Sequence, residues 1–207
     1  MDINSQFLNH TKDVNADFWE NKWKKNQTGW DIGYASPALV SYFEQKADWN
    51  ARILIPGCGN AYEAEALALL GYTDITLVDI SKTLTDKLKE KYNNTPAIKV
   101  VNADFFQLQE QFDYIIEQTF FCALDPSLRE DYVAKMARLL KQNGQLVGLL
   151  FDRDFGNSFP PFGGDLTEYE TLFKPHFNTR KFEKCTNSIP ARAGTELLFT
   201  VCNCVND

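Results

Sequence analysis

Between Arg52 and Gly71 the chain passes from a short apolar run through a glycine turn into a helical repeat. Arg52-Ile53-Leu54-Ile55 has strand composition, and Pro56-Gly57-Cys58-Gly59 turns it tightly. Asn60 to Leu70 then spaces Ala and Leu at helical intervals, and Gly71 closes the end. A second unit follows. Asp74 to Val78 reads as a strand ended by Asp79, and Ser81 caps a helix to about Tyr92. Ile98 to Val101 and Phe112 to Glu117 are the third and fourth strands. Asp125-Pro126 opens an amphipathic helix to about Lys141, stopped by Asn143-Gly144. Gln145 to Phe151 is nearly continuously apolar, as a strand covered by helices on both faces must be. The order βαβαβ then βαβ predicts an α/β fold with a doubly wound, Rossmann-like, mostly parallel sheet.

The flanks extend this frame. Ser36-Pro37 opens a helix from Ala38 to about Lys46, ahead of the first strand. After the fifth strand, Asp152 to Asp165 is a loop of about fourteen residues rich in Gly, Pro and Phe, a length that usually serves binding. Thr167 and Glu170 form a capping box for a short helix ending near Pro175. Phe177 to Thr186 and Glu196 to Cys204 are predicted to pair antiparallel at one sheet edge. The 207 residues are expected to form one domain, with 1–35 as an N-terminal segment over the site.

Composition excludes several functions. A formal net charge of −7 at pH 7, with no basic block to offset it, disfavours nucleic acid. No apolar run approaches a membrane span, so a cytoplasmic protein is expected. Cys58, Cys122, Cys185, Cys202 and Cys204 are odd in number and lack a C-x-x-C pair, which argues against a disulfide framework and against zinc or another metal. Cys202 and Cys204 share one strand face and read as packing residues. The two histidines, His10 and His176, lie in a polar tail and at a helix end, so histidine-based chemistry has few candidates.

Ligands of an open α/β sheet sit at the carboxyl ends of its strands. Gly57 and Gly59 let backbone approach such a ligand, but position 62 is tyrosine, so the dinucleotide fingerprint is incomplete. Asp79 lies 22 residues beyond Gly57, where a carboxylate accepts the hydroxyls of a ribose; its other role is to help cap the helix at Ser81. Asp104 follows the third strand beside Phe105, placed to accept from an adenine amino group or to serve as a turn residue.

With Trp19-x3-Trp23-x6-Trp30-Asp31-x-Gly33 ahead of Pro56-Gly57-Cys58-Gly59, and Thr119-Phe120-Phe121-Cys122-Ala123-Leu124 after the fourth strand, the chain resembles class I S-adenosylmethionine-dependent methyltransferases. Within them it is similar to the thiopurine and plant-type halide/thiol methyltransferases over nearly its whole length. The resemblance implies S-adenosyl-L-methionine as cofactor. It implies that Trp19, Trp23 and Trp30 cover the cofactor, Gly57 underlies its methionine part with Gly59 also in the cofactor site, Asp79 holds the ribose, and Asp104 and Phe105 form the adenine site. Gln118 joins this set. Tryptophan faces suit a sulfonium cation, although aromatics at helical spacing also pack in cores. Gln118 departs from the halide/thiol members, which tend to carry tyrosine there.

Arg129 and Arg192 match arginines of the thiopurine-type enzymes and are expected to face an anionic acceptor, or else to pair with carboxylates such as Glu130 or Asp131. Phe155, Phe159 and Phe162 are expected to wall the acceptor. The Pro160-Pro161-Phe162 run resembles an amino-group methyltransferase signature, but it follows the fifth strand and not the fourth. The expected activity is methyl transfer to a small soft nucleophile, foremost a thiol. Halide, oxyanion, tellurium and selenium acceptors are alternatives, as is a cofactor-binding module without turnover. A monomer is expected.

Overall fold

The computed structural model describes residues 14–204. His10 lies outside them. Seven strands form one sheet: β1 (Arg52–Pro56), β2 (Asp74–Asp79), β3 (Ile98–Asn102), β4 (Phe112–Gln118), β5 (Leu140–Phe151), β6 (Thr179–Lys184) and β7 (Glu196–Cys202). Their order is β3-β2-β1-β4-β5-β7-β6. The first five pair in parallel, while β7 runs antiparallel between β5 and β6. The parallel core and the antiparallel edge pair both match the alternation in the sequence.

Strand alternation sorts the core into two layers. Ile53 and Ile55 face α1 (Ala16–Lys24), α2 (Pro37–Glu44), α3 (Tyr62–Leu70) and α4 (Lys82–Lys91), whose Trp23, Phe43, Leu67 and Leu88 join the same cluster. Leu54 points the other way, to α5 (Arg129–Leu139) and α6 (Leu166–Phe173), with Tyr132, Met136 and Phe173. Both faces are therefore covered, which is why the central strands carry so few polar residues. Strand order reverses between β1 and β4, and that switch point opens the crevice in which ligands of such sheets bind.

Three local expectations are corrected. Helix α5 ends at Leu139, not at Lys141, because Leu140 already pairs with Phe112. Asn143, at φ +62°, bends the entry to β5, and Gly144 packs where a Cβ would sit 3.0 Å from the Phe112 carbonyl. The cap of α6 is Asp165, which accepts from Glu168 N at 2.9 Å, so Thr167 lies inside the helix and caps nothing. Cys202 ends β7 and Cys204 lies past it, so the two do not share a strand face as packing residues; their Cα atoms are 5.4 Å apart and the sulfurs are bonded as a disulfide. Cys58, Cys122 and Cys185 stay free and buried. Among the described residues no helix is long and apolar enough to cross a membrane.

Candidate active site

A cavity of about 1150 Å³ lies over the carboxyl ends of β1, β2 and β4. Its floor is the loop after β1, where Gly57, Gly59 and Ala61 all take left-handed backbone, at φ +57°, +51° and +56°. The two glycines differ in what surrounds them. A Cβ on Gly57 would come within 2.4 Å of the Phe120 ring, whereas one on Gly59 would meet nothing. Gly57 thus lets the exit of β4 close on the exit of β1, and Gly59 leaves open room for a ligand. Cys58 lines the cavity, but burial and the nearby Asp79 carboxylate push its thiol pKa well up, so it stays protonated.

Asp79 ends β2 with its side chain in that cavity. One oxygen accepts from Ser81 N at 2.9 Å, so it shapes the start of α4 as well as facing the cavity. Burial raises its pKa to about 6 against the backbone N–H groups of Ser81, Gly59 and Ile80. Asp104 likewise caps a 3₁₀ turn, accepting from Phe106 N at 2.9 Å, and lines the cavity beside Phe105. Glu117, next to last in β4, is fully buried. It accepts from Phe120 N at 2.8 Å, Phe121 N at 2.9 Å and Tyr132 Oη at 2.5 Å, which pins the turn carrying Gln118, Thr119 and Phe120. Its pKa is raised to about 7 by burial, against the pull of those three donors. Gln118 and Thr119 line the cavity, Thr119 at φ +61°.

Helix α1 and the segment after it form the roof. Asn15 caps α1 by accepting from Phe18 N, and Trp19 and Trp23 leave the helix on one face, as four-residue spacing requires. Both meet Trp30 edge to face, at 5.4 and 5.8 Å between ring centroids, and all three line the cavity. Trp23 is at the same time part of the core. Two carboxylates hold this roof down. Glu20 accepts from Ser81 Oγ at 2.7 Å and from Thr83 Oγ1 at 2.6 Å, bonds that draw its pKa down to about 2. Asp31 accepts from Asn60 Nδ2 at 2.5 Å and Tyr62 Oη at 3.2 Å, tying the tryptophan segment to the start of α3.

The far wall comes from the loop after β5 and the turn before β7. Phe151, Arg153, Phe155, Phe159, Pro161 and Arg192 line it. Phe159 is half exposed there, at 50%. Two expected wall residues are elsewhere. Arg129 is 5% exposed, its Nη1 pairs with Glu168 at 2.5 Å, its Nη2 donates to Gly163 O at 2.6 Å, and it stacks over Phe121. It is therefore a structural cation, and its partner is Glu168, not Glu130 or Asp131. Phe162 is buried beneath the wall, where its N–H donates to Cys122 O at 2.8 Å. Arg192 does reach the cavity, but Nη1 lies 3.4 Å from Glu196 and Nη2 donates to Trp30 O at 3.3 Å, so it also braces the roof. His176, Asp152 and Asp154 do not line the cavity.

Charge divides this space. The lining from residues 14–104 holds Asp17, Asp31, Glu63, Asp79 and Asp104 against Lys22; the lining from residues 118–195 holds Arg153 and Arg192 and, among the described residues, no carboxylate. The composition of the chain hides this asymmetry. Glu20, Glu117 and Arg153 were absent from the site residues singled out by sequence, and Asp31 entered only as part of the tryptophan motif. For Glu117 a signal existed: a carboxylate inside an apolar strand, opposite Gly148, whose missing side chain makes its room. For Glu20 there was none, since Ser81 and Thr83 lie far along the chain at the start of α4.

The thiopurine S-methyltransferase (TPMT) family matches residues 14–199. The probable thiol methyltransferase 2 of Arabidopsis thaliana is 35% identical over 162 residues, covering 76% of this chain and 71% of its own. The thiocyanate methyltransferase 1 of Brassica oleracea is 32% identical over 200 residues, covering 94% and 87%. Among solved structures, a Burkholderia thailandensis 1,6-didemethyltoxoflavin-N1-methyltransferase bound to S-adenosylhomocysteine superposes with a TM-score of 0.69 at 15% identity, covering 91% of this chain and 86% of its own. That likeness is one of fold.

Proposed function

This chain belongs to the thiopurine S-methyltransferase family, and we propose that it transfers the methyl group of S-adenosylmethionine to the sulfur of a small thiol. The observation that carries the reading is the division of one cavity into an acidic, tryptophan-roofed half and a basic, phenylalanine-walled half. The acidic half fits the cofactor. Asp79 offers a carboxylate to a ribose diol, Gly59 leaves space where a side chain would project, and Trp19, Trp23 and Trp30 offer π faces to a cation. Asp104, Phe105, Gln118 and the Gly57 turn complete that side in the proposal. The bound cofactor supplies an electrophilic methyl group on a sulfonium.

The protein's part is alignment and exclusion of water. Phe155 and Phe159 hold the acceptor against the methyl group, and the roof seals the other side. The acceptor sulfur forms the bond to the methyl carbon, the electron pair of the broken bond goes to the cofactor's sulfur, and the thiol proton has already passed to water. A thiolate needs no strong base. This is supported by the wall drawn from residues 118–195, which offers arginine but neither carboxylate nor imidazole. The reading includes a monomer in the cytoplasm.

The test is the pH profile of kcat/KM for thiols of graded acidity, read as S-adenosylhomocysteine release. The midpoint is expected to move with each acceptor's own pKa, near ~8.5 for a cysteine-like thiol. One midpoint shared by all acceptors, or binding of cofactor with no turnover of any thiol, contradicts the reading.

A further inference from the structure

Among the described residues, one cation in the basic half, Arg153, has no ion-pair partner. The base of the loop after β5 is closed: Arg153 N donates to Gly164 O at 2.9 Å and Gly164 N to Arg153 O at 3.1 Å, while Asp152 N donates to Thr195 O at 2.8 Å. A Cβ on Gly163 would fall 1.9 Å from Arg153 O, so the two backbones meet with no slack. The Arg153 side chain therefore starts from a fixed point. Its guanidinium lies 5.1 Å from the centre of the Phe155 ring; that ring meets Phe151 edge to face at 4.9 Å, and Arg192 lies 5.5 Å over Phe151. Two touching rings thus carry one arginine each along the cavity wall.

The arginines differ in what surrounds them. Arg192 is mostly buried and paired with Glu196. Arg153 is exposed into the cavity, and no carboxylate among the described residues comes within ion-pair distance of it. A guanidinium lying on a ring keeps its edge N–H groups free, in a fork that matches a carboxylate. We propose that Arg153 determines acceptor specificity by receiving a carboxylate carried by the thiol, so that short mercapto acids are preferred over neutral thiols. This rests on the thiol reading above. The carboxylate keeps its charge through the transfer, so Arg153 holds substrate and transition state alike and acts on KM more than on kcat.

Mercaptoacetate and mercaptoacetamide, alike in size and unlike in charge, are the probes. With the full-length protein and S-adenosylmethionine, Arg153→Gln is expected to raise KM for mercaptoacetate about tenfold with kcat nearly unchanged, to leave mercaptoacetamide within about twofold, and to be partly rescued by Arg153→Lys. Each ratio compares one acceptor with itself, so differences in thiol ionisation cancel. Equal changes for the two acceptors overturn the role of Arg153 and leave the thiol reading standing. No turnover of either thiol by the native protein overturns both.

Discussion

The two halves of the cavity are built by different means. The acidic half stands on strand ends and helix starts, where Asp79 and Asp104 each accept from a backbone N–H as well as lining the cavity, and Glu20 of α1 is tied to the start of α4. The basic half stands on a long loop closed at its base, and its Phe159 is half exposed. Residues that also cap helices or turns are tied to the fold, while residues on a loop wall are free to follow a substrate. The two halves of the cavity are therefore expected to differ in their tolerance to substitution.

The largest expected effect breaks the loop side without touching the chemistry. Arg129→Ala leaves the Gly163 carbonyl and Glu168 without their partner and removes a buried stack on Phe121. A loss of about 2–4 kcal/mol in chemical denaturation is expected, with cofactor affinity in the surviving folded protein unchanged. Retained stability together with a selective rise in acceptor KM would return Arg129 to the acceptor site.

Next in size is a contrast within one turn. Both glycines take left-handed backbone, so alanine at either costs about 1–2 kcal/mol. Gly57→Ala adds a collision with the Phe120 ring, and Gly59→Ala does not. Thermal melting is expected to drop further for Gly57→Ala, while Gly59→Ala shows its larger effect in cofactor titration. Identical melting temperatures would mean that Phe120 moves aside freely.

A smaller effect separates the halves by pH. The free carboxyl of Asp79 is held near pKa about 6 by burial, above its ordinary value of 3.8. In the proposed site ribose hydroxyls would donate to the ionised form, so binding is expected to lower that pKa and release a proton. Cofactor affinity is then level above pH 6 and falls as pH drops below it, by up to about tenfold per unit. Asp79→Asn is expected to flatten this slope. The protonated form is also the one that folding favours, so the stability held by Asp79 is present at low pH and lost as pH rises from 3.8 through 6.

How much of this was legible follows the same division. The alternation of apolar runs with Gly57, Asp79, Ser81 and Gly71 carried the parallel sheet and the acids at its strand ends, because each of those residues has a backbone duty that recurs wherever such a sheet forms. Arg129 and Phe162 were misplaced because position in a motif does not say which way a side chain turns, and both turn into the protein under the wall they were expected to form. The Asn143-Gly144 pair looked like a helix stop because a left-handed residue serves helix ends and bent strand entries alike. The charge division was invisible in a chain of net charge −7, since it arises from which few ionised groups the fold brings to one space.

The most direct test of the two-halved cavity is a crossed measurement of cofactor Kd by calorimetry and acceptor KM at saturating cofactor, for Asp79→Asn and Phe159→Ala. Asp79→Asn is expected to raise cofactor Kd by about fivefold to 150-fold, a loss of about 1–3 kcal/mol from a buried hydrogen-bonding carboxylate, and to leave acceptor KM within about twofold. Phe159→Ala is expected to do the reverse. If both substitutions shift both constants together, the cavity is one site and the division fails.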